Sequence, residues 1–564
     1  MRKYIKLIPY GVAASGIIAF AVLFRLAMSA VYLPTTNTDE GTMGIEAMHI
    51  AFRGEWPIYF YSQNYMGVIE AYIGAVFFHL FGVSVFSLRL GMILMFALFL
   101  VALYLLTSLL YTKKLAIFTL AVLSLGALDV LIQQLRAVGG AVETLLFGTV
   151  ILLLATWLAL TVSRNALPGE KRKRLLAYGF WGFTVGIGLW THLLVLPFVL
   201  AGGLILLVFC RREWLSLAPL LILVGFVIGA FPMIYFYITH PSENSLTAAL
   251  YLHDSTTLAQ EYSTHILRKE FIGTFLWSLP QATGLNPVCA LTDLPYYGPA
   301  TSQTVPCIIA HGSWSAGYMA LLSIALVMAA LGVWKALQAR RFQGKTWSEE
   351  ERRSAVIQFV RLMILLSAAL TIALYLSSPL SGLKPWSTRY LVGIWIAIPS
   401  VLWPLWRLSG IEKLQLPSIK HIRLLEGFNR IALLAIFASI LGTTAVTVSM
   451  IPATQAQDRQ QEALIQDLLR VGATHIYTEY WTCDRLNFQS QERVICIVLD
   501  AGTFDRYPAY RPIVKNDPRA AYVYPAGMVF IAQAQKNLER EGIPYREFSF
   551  DGYVVIQPVI GTTS

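Results

Sequence analysis

The sequence predicts a polytopic α-helical membrane protein of about 11–13 spans that ends in a small α/β domain. Three observations lead there. Of 564 residues, 56% are hydrophobic and only 13% are charged, with a mean hydropathy of +0.60; a soluble chain carries about 25% charged residues. Apolar runs of about 18 residues or more recur along the chain, which is the signature of membrane-spanning helices. They run continuously instead of alternating with polar residues, which excludes an outer-membrane barrel. After Ile451-Pro452 the character changes and polar residues rise.

Taken in order, the first element is the run 7–33, in which Arg25 is the only charge. It follows the basic start Met1 to Lys6, is too long for a signal peptide, and reads as a retained helix. Further spans are expected at 86–111, 115–131, 141–161, 175–191, 193–209, 215–238, 315–337, 355–377, 389–408 and 430–451, eleven crossings with the first at 8–31. The net charge of +11 sits in short clusters between these runs: Lys113-Lys114, Lys171 to Arg174, Arg211-Arg212, Arg340-Arg341, Arg352-Arg353 and Lys413 to Arg430. Basic clusters of this kind stay cytoplasmic. Their partners are membrane lipids, through anionic headgroups, and no nucleic acid is implied. The loops 32–85 and 239–314 and the tail then fall outside, giving a membrane domain over 1–452 and an extracytoplasmic α/β domain over 453–564. The run 66–82 is apolar enough to cross, but a crossing there would put Lys171 to Arg174 outside. A juxtamembrane or re-entrant helix fits better.

The cysteines agree with this topology. Cys289 and Cys307 lie in the expected outer loop, Cys483 and Cys496 in the expected outer tail, and Cys210 alone inside. Two outer pairs and one inner single are what an oxidising exterior selects. In the tail, 458–471 reads as an amphipathic helix, 474–477 and 493–499 as strands, 531–541 as a helix closed by Gly542, and 553–557 as a last strand.

The chemistry gathers in the first outer loop. Asp39-Glu40 heads it, followed by Glu46, Glu55 and Glu70 among Trp56, Tyr59, Phe60, Tyr61, Tyr65 and Tyr72. A carboxylate beside hydrocarbon is partly desolvated, which suits it to proton transfer, and the aromatic rings suit both the headgroup zone and stacking on sugars. Asp39 and Glu70 abut apolar runs and read as functional; Glu46 and Glu55 read as solvated loop charges. Residues 41–53 suit an interfacial helix. A second group is Asp129, Gln133, Gln134 and Arg136, then Gly139-Gly140 and Glu143 at the start of a span. Arg136 offers a guanidinium fork that matches phosphate, or a salt bridge to a neighbouring acid. His192 falls near the outer face, where a lone histidine is more often structural. Lys384 and Arg389 put two cations at an outer helix end, to hold a lipid-linked phosphate or to anchor at the headgroups. No P-loop, dinucleotide fingerprint or Ser/His/Asp set is present, which argues against ATP-driven and nicotinamide chemistry.

A basic N-terminus, one helix and then Asp39-Glu40 resembles the GT-C superfamily of membrane glycosyltransferases, in particular the branch of protein O-mannosyltransferases and lipid A aminoarabinose transferases. Further points of resemblance are Gly54-Glu55-Trp56-Pro57, Glu70, Leu80-Phe81-Gly82, Phe86 to Leu90, Arg136 to Glu143, Gly186 to Trp190 and Arg389-Tyr390. The family's Lys-Pro after the second acid is missing, since Ala71-Tyr72 follows Glu70. The resemblance implies a hexosyl or pentosyl transferase that moves a sugar from a polyprenyl-phosphate donor to a lipid, glycan or protein acceptor outside the cytoplasmic (inner) membrane, by a single inverting displacement. Asp39 would be the base, supported by Glu40, with Glu70 and Glu143 as further site acids (Asp129 the rival of Glu143) and Arg136, Lys384 and Arg389 on the donor phosphate. Some members need a divalent metal ion, and three or more carboxylates could bind one, though no ligand spacing here specifies it. The carboxyl groups of the first loop and of the 136–143 turn are expected to converge. The rival class is a transporter or flippase for a lipid-linked or small polar solute, which also buries ionisable residues but usually shows internal repeats.

Overall fold

The computed structural model describes residues 8–162, 167–241, 270–285, 304–343, 348–378, 381–383, 385–412, 420–499 and 505–559. The chain divides into two compact units, and the division is not a single cut in the sequence. One comprises 1–25, 94–134 and 140–448; the other comprises 26–93, 135–139 and 449–564.

The first unit is helical. By length and composition seven helices can cross a membrane: Tyr10–Ala30, Val85–Leu110, Ala141–Leu160, Val305–Gln338, Glu349–Leu376, Trp386–Leu408 and Arg423–Arg470. Two bent pairs, Lys113–Ser124 with Leu128–Leu135 (93°) and Ala218–Gly229 with Phe231–Thr239 (66°), raise the number to nine. Among the described residues these candidates, with the shorter apolar helices Ile69–Phe81 and Leu193–Phe209 beside them, make a polytopic helical membrane protein. The run 193–209 is a short apolar helix, and 175–191 belongs to a helix, Pro168–Thr191, that carries four consecutive basic residues, Lys171 to Arg174, near its start.

Local chemistry explains where these helices start and meet. Ser348 and Glu351 form a capping box at the head of Glu349–Leu376: the Ser348 hydroxyl accepts the Glu351 N–H at 3.2 Å, and the Glu351 carboxylate accepts the Ser348 N–H at 2.8 Å. Helices Pro168–Thr191 and Ala218–Gly229 cross on glycine. A Cβ at Gly182 would stand 2.1 Å from the Ile222 carbonyl oxygen, and one at Gly225 would stand 2.0 Å from that of Gly179. Only hydrogen fits there, as expected for backbones in close approach inside a membrane.

The buried Arg25 answers the question its charge raises. Its guanidinium donates to the carbonyls of Leu123 (3.0 Å), Ser124 (2.8 Å) and Leu125 (3.4 Å), to Ala21 (3.0 Å) and to the Gln134 side chain, and it lies 4.0 Å over the Phe96 ring. Those carbonyls are the orphaned acceptors at the end of Lys113–Ser124, where the 93° bend begins. A cation at a helix C-terminus also meets the negative end of the macrodipole.

The second unit joins the loop that follows the first long helix to a five-stranded sheet. Strands β1 (His475–Thr478), β2 (Ile495–Val498), β3 (Ala521–Pro525), β4 (Tyr545–Phe550) and β5 (Tyr553–Pro558) lie in the order β2-β1-β3-β5-β4. β1 pairs in parallel with β2 and β3, and β5 runs antiparallel to β3 and β4. The β4–β5 hairpin turns through Asp551 (φ 46) and Gly552 (φ 83), the pair of positive angles a tight hairpin turn requires. Helix Tyr480–Gln489 connects β1 to β2, and a disulfide from Cys483 to Cys496 ties it to the edge strand. Cys307 is disulfide-bonded as well, Cys289 lies outside the described residues, and Cys210 is free and buried.

The segment 66–82 forms helix Ile69–Phe81, whose 13 residues reach about 20 Å, short of the roughly 30 Å hydrocarbon core. The expected tail elements at 458–471, 531–541 and 553–557 are present as Ile451–Arg470, Val529–Arg540 and Tyr553–Pro558.

Candidate functional site

Asn37 accepts the Glu40 N–H at 3.0 Å and so opens helix Thr38–Met48, with Asp39 and Glu40 in its first turn. The two acids then part. Glu40 is wholly buried and takes a two-pronged ion pair from Arg89, at 2.7 and 2.6 Å; it also accepts the Ala137 N–H at 3.3 Å. Asp39 keeps 18% of its side chain exposed. Its Oδ1 accepts from Arg506 Nη2 at 3.1 Å and from the Tyr480 hydroxyl at 3.4 Å.

Glu70, 1% exposed in the first turn of Ile69–Phe81, accepts the Gly139 N–H at 3.0 Å. Arg136 donates to the Thr35 carbonyl at 2.7 Å and meets the Thr35 hydroxyl at 3.4 Å. The strip 135–139 is thus stitched to the 32–85 segment at three points, through Thr35, Glu40 and Glu70. Gly139 sits at φ 78, and a Cβ on it would stand 2.3 Å from the Met66 sulfur. That explains the glycine in physical terms: it supplies both the left-handed angle and the room.

Of the two acids read as solvated, one is not, and the other, Glu55, keeps 32% of its side chain exposed. Glu46 is wholly buried, accepts the Tyr61 N–H at 2.5 Å, and has its carboxyl pushed well above the ordinary range, chiefly by burial. Glu55 accepts from the hydroxyls of Tyr61 (2.9 Å) and Tyr507 (3.0 Å). Between them His49, fully buried, meets Tyr61 at 2.8 Å and Glu492 at 3.0 Å. Burial raises Glu492, but bonds from His49 and Tyr510 outweigh it and hold the carboxyl below its usual value. Tyr65 lies in the same loop, its N–H on the Gln63 carbonyl at 2.8 Å. The expected interfacial helix 41–53 is Thr38–Met48 followed by a π-turn, His49–Arg53, that ends at Gly54 (φ 68).

The loop helix packs on the tail by way of glycine. A Cβ at Gly41 would stand 2.6 Å from the Asp484 backbone, and one at Gly44 would stand 2.5 Å from the Phe488 ring. Thr42 donates to Asp484 at 2.7 Å, and Thr38 to the Tyr480 carbonyl at 2.8 Å.

The remaining expected residues lie in the other unit. Glu143 is buried in the first turn of Ala141–Leu160, and Asp129 stands in the first turn of Leu128–Leu135. His192 ends Pro168–Thr191, and its Nδ1 accepts the Leu194 N–H at 3.1 Å. A Cβ at Gly140 would stand 2.4 Å from the His192 ring, and the Tyr390 ring centre lies 6.4 Å from it. Arg389 bonds the Tyr390 hydroxyl at 3.2 Å, on a 13-residue 3₁₀ helix, Pro385–Ala397. The Tyr375 hydroxyl pins that segment through Ser387 (2.7 Å) and Gly382 (3.0 Å). Lys384 lies outside the described residues.

Among the described residues the one grouping with metal-ligand spacing is Cys483, Asp484 and Cys496. Its two sulfurs are joined to each other, so it does not fit a divalent ion.

No family model matches the sequence, and no curated protein matches it. Solved structures do. ArnT from Cupriavidus metallidurans bound to undecaprenyl phosphate superposes with a TM-score of 0.54 at 15% identity, covering 96% of this chain and 98% of that one. The chain shares the fold of that ArnT. The apo state of the same ArnT gives a TM-score of 0.51 at 14% identity, over 95% and 97% of the two chains. AglB from Archaeoglobus fulgidus, in complex with an inhibitory peptide and a dolichol-phosphate, gives 0.47 at 13% identity, over 98% of this chain and 75% of that one.

Reasoning from sequence missed Arg89, Arg506, Tyr480 and His49. Arg89 had a signal: a lone arginine at the head of an apolar run asks for a buried partner. Arg506 and Tyr480 stand in a polar tail, where neither residue is unusual.

Proposed function

We propose that the chain is a glycosyltransferase that passes a sugar from a polyprenyl-phosphate carrier to an acceptor on the outer face of the cytoplasmic membrane. The reading rests on the GT-C fold shared over nearly the whole length of ArnT, a protein seen bound to undecaprenyl phosphate. Support comes from Asp39, which keeps part of its side chain exposed in the first turn after the first membrane helix. The Cys483–Cys496 disulfide supports an extracytoplasmic domain over 453–564.

In this reading the acceptor hydroxyl gives its proton to Asp39 as its oxygen bonds to the anomeric carbon. The bond from that carbon to the carrier phosphate breaks, and polyprenyl phosphate leaves with the electron pair. One in-line displacement inverts the centre. Asp39 supplies general-base help. Arg136 is the cation offered to the departing phosphate, with Lys384 and Arg389 in that role by resemblance. Glu40 and Glu70 shape the loop through Arg89, Ala137 and Gly139, and Glu143 is the acid of the second outer turn. No step is routed through a metal.

The test is a transfer assay on the detergent-purified chain with a panel of polyprenyl-phosphate sugars, reading released polyprenyl phosphate and the glycosylated acceptor by mass spectrometry. Matched release of both supports the reading. Movement of a labelled lipid or solute in proteoliposomes, with no sugar transferred from any donor, replaces it with transport.

A further inference from the structure

We propose that the C-terminal domain completes the site, with Arg506 and Tyr480 as positioning residues that hold the Asp39 carboxylate in line for the acceptor. The inference rests on Asp39 acting as the base. Arg506, 5% exposed, and Tyr480 both bond Asp39 Oδ1, and the Arg506 guanidinium bonds the Tyr480 hydroxyl in turn, closing a triangle. The guanidinium lies 5.1 Å over the Phe60 ring and 5.5 Å over that of Tyr480, so aromatic faces fix its plane.

Each member is anchored from behind. The Arg506 and Asp505 carbonyls accept from the Ser62 hydroxyl at 3.0 and 3.2 Å. The Asp505 side chain accepts the Val498 N–H at 2.7 Å, which ties the loop to β2, and takes Arg511 at 2.6 Å. Tyr480 heads the helix that packs on Gly41 and Gly44, and its carbonyl takes Thr38, the residue next to Asp39. A carboxylate on a lone helix turn can swing about χ1 and χ2; this one is held by two donors on one oxygen. A reacting group held in place in advance gains rate through orientation, and about 1 Å of misplacement can cost about 100-fold. The domain therefore acts on the chemical step and not only as a handle for acceptors.

The experiment measures transfer by the full chain in detergent, using whichever donor the wild type accepts. Variants are Arg506→Ala, Arg506→Lys, Tyr480→Phe, Asp39→Asn and the Asp39→Asn/Arg506→Ala double. The expected result is a kcat lower by about 10- to 100-fold in Arg506→Ala with donor KM within about 3-fold. Arg506→Lys should recover part of the loss. Added guanidinium should restore Arg506→Ala and leave Asp39→Asn unchanged, and the double variant should be no slower than Asp39→Asn. If Arg506→Ala unfolds, Tyr480→Phe decides by the same kcat-against-KM split. Wild-type kcat in Arg506→Ala, or a loss that guanidinium does not rescue and that multiplies with Asp39→Asn, overturns the inference while leaving the transferase reading intact. A wild type that transfers nothing ends both.

Discussion

At the scale of single residues, the acids of the first loop have divided their work. Glu40 and Arg89 form a wholly buried pair. Taking two charges out of water is costly, and removing one strands the other, typically at about 3–5 kcal/mol. Glu40→Ala should therefore destabilise by about that amount in a denaturant melt, whereas Glu40→Ala with Arg89→Met should recover most of it. Equal destabilisation in the single and double variants would deny the pair its structural part. Asp484 carries a pH signature. Burial pushes its carboxyl from 3.8 up to about 6, so the folded state holds this proton more tightly than the unfolded chain does. The favourable protonated form is fully present below the unfolded value and is lost as pH rises through the folded one. At pH 7 the buried charge costs about 3 kcal/mol. Asp484→Asn, which can still accept from Thr42, should melt above wild type at pH 7.5 and converge with it near pH 4.

At the scale of elements, glycine governs who touches whom. Gly225→Val would drive a side chain into the Gly179 carbonyl at a point where a mere Cβ already stands 2.0 Å away. The helix pair cannot relax by moving a rotamer, so the variant should fail to give monodisperse protein in detergent, while Gly203→Ala, on open space, should behave as wild type. The Cys483–Cys496 disulfide closes a short loop of sequence separation 13. Its removal by Cys483→Ser with Cys496→Ser should cost about 2–4 kcal/mol in the melt of the protein. Element legibility followed the same physics. Long apolar runs announced themselves, as did the tail helix Val529–Arg540 with its Gly542 stop. Helix Tyr480–Gln489 did not, because Tyr, Trp, Thr, Cys, Asp and Asn are weak helix formers, and packing on Thr38–Met48 makes that helix instead. β4, Tyr-Arg-Glu-Phe-Ser-Phe, hid because two adjacent charges break its alternation.

At the scale of the whole molecule, a fold shared with ArnT over 96% of the chain survives at 15% identity, since burial pattern and helix order tolerate substitution that sequence comparison does not. The acids around Asp39 were legible because a charge is rare in so apolar a chain, and Asp39, Glu40 and Glu70 stood out for that reason. The partners of Asp39 were not legible: Arg506 lies more than four hundred residues away in a segment rich in charges, and only folding joins it to the loop. The most direct measurement of the account is the rate of sugar transfer from a polyprenyl-phosphate donor by Asp39→Asn against wild type, both shown by melting to be folded. The account predicts a variant that inserts and melts normally but transfers about 100-fold more slowly or worse; equal rates in the two proteins would contradict it.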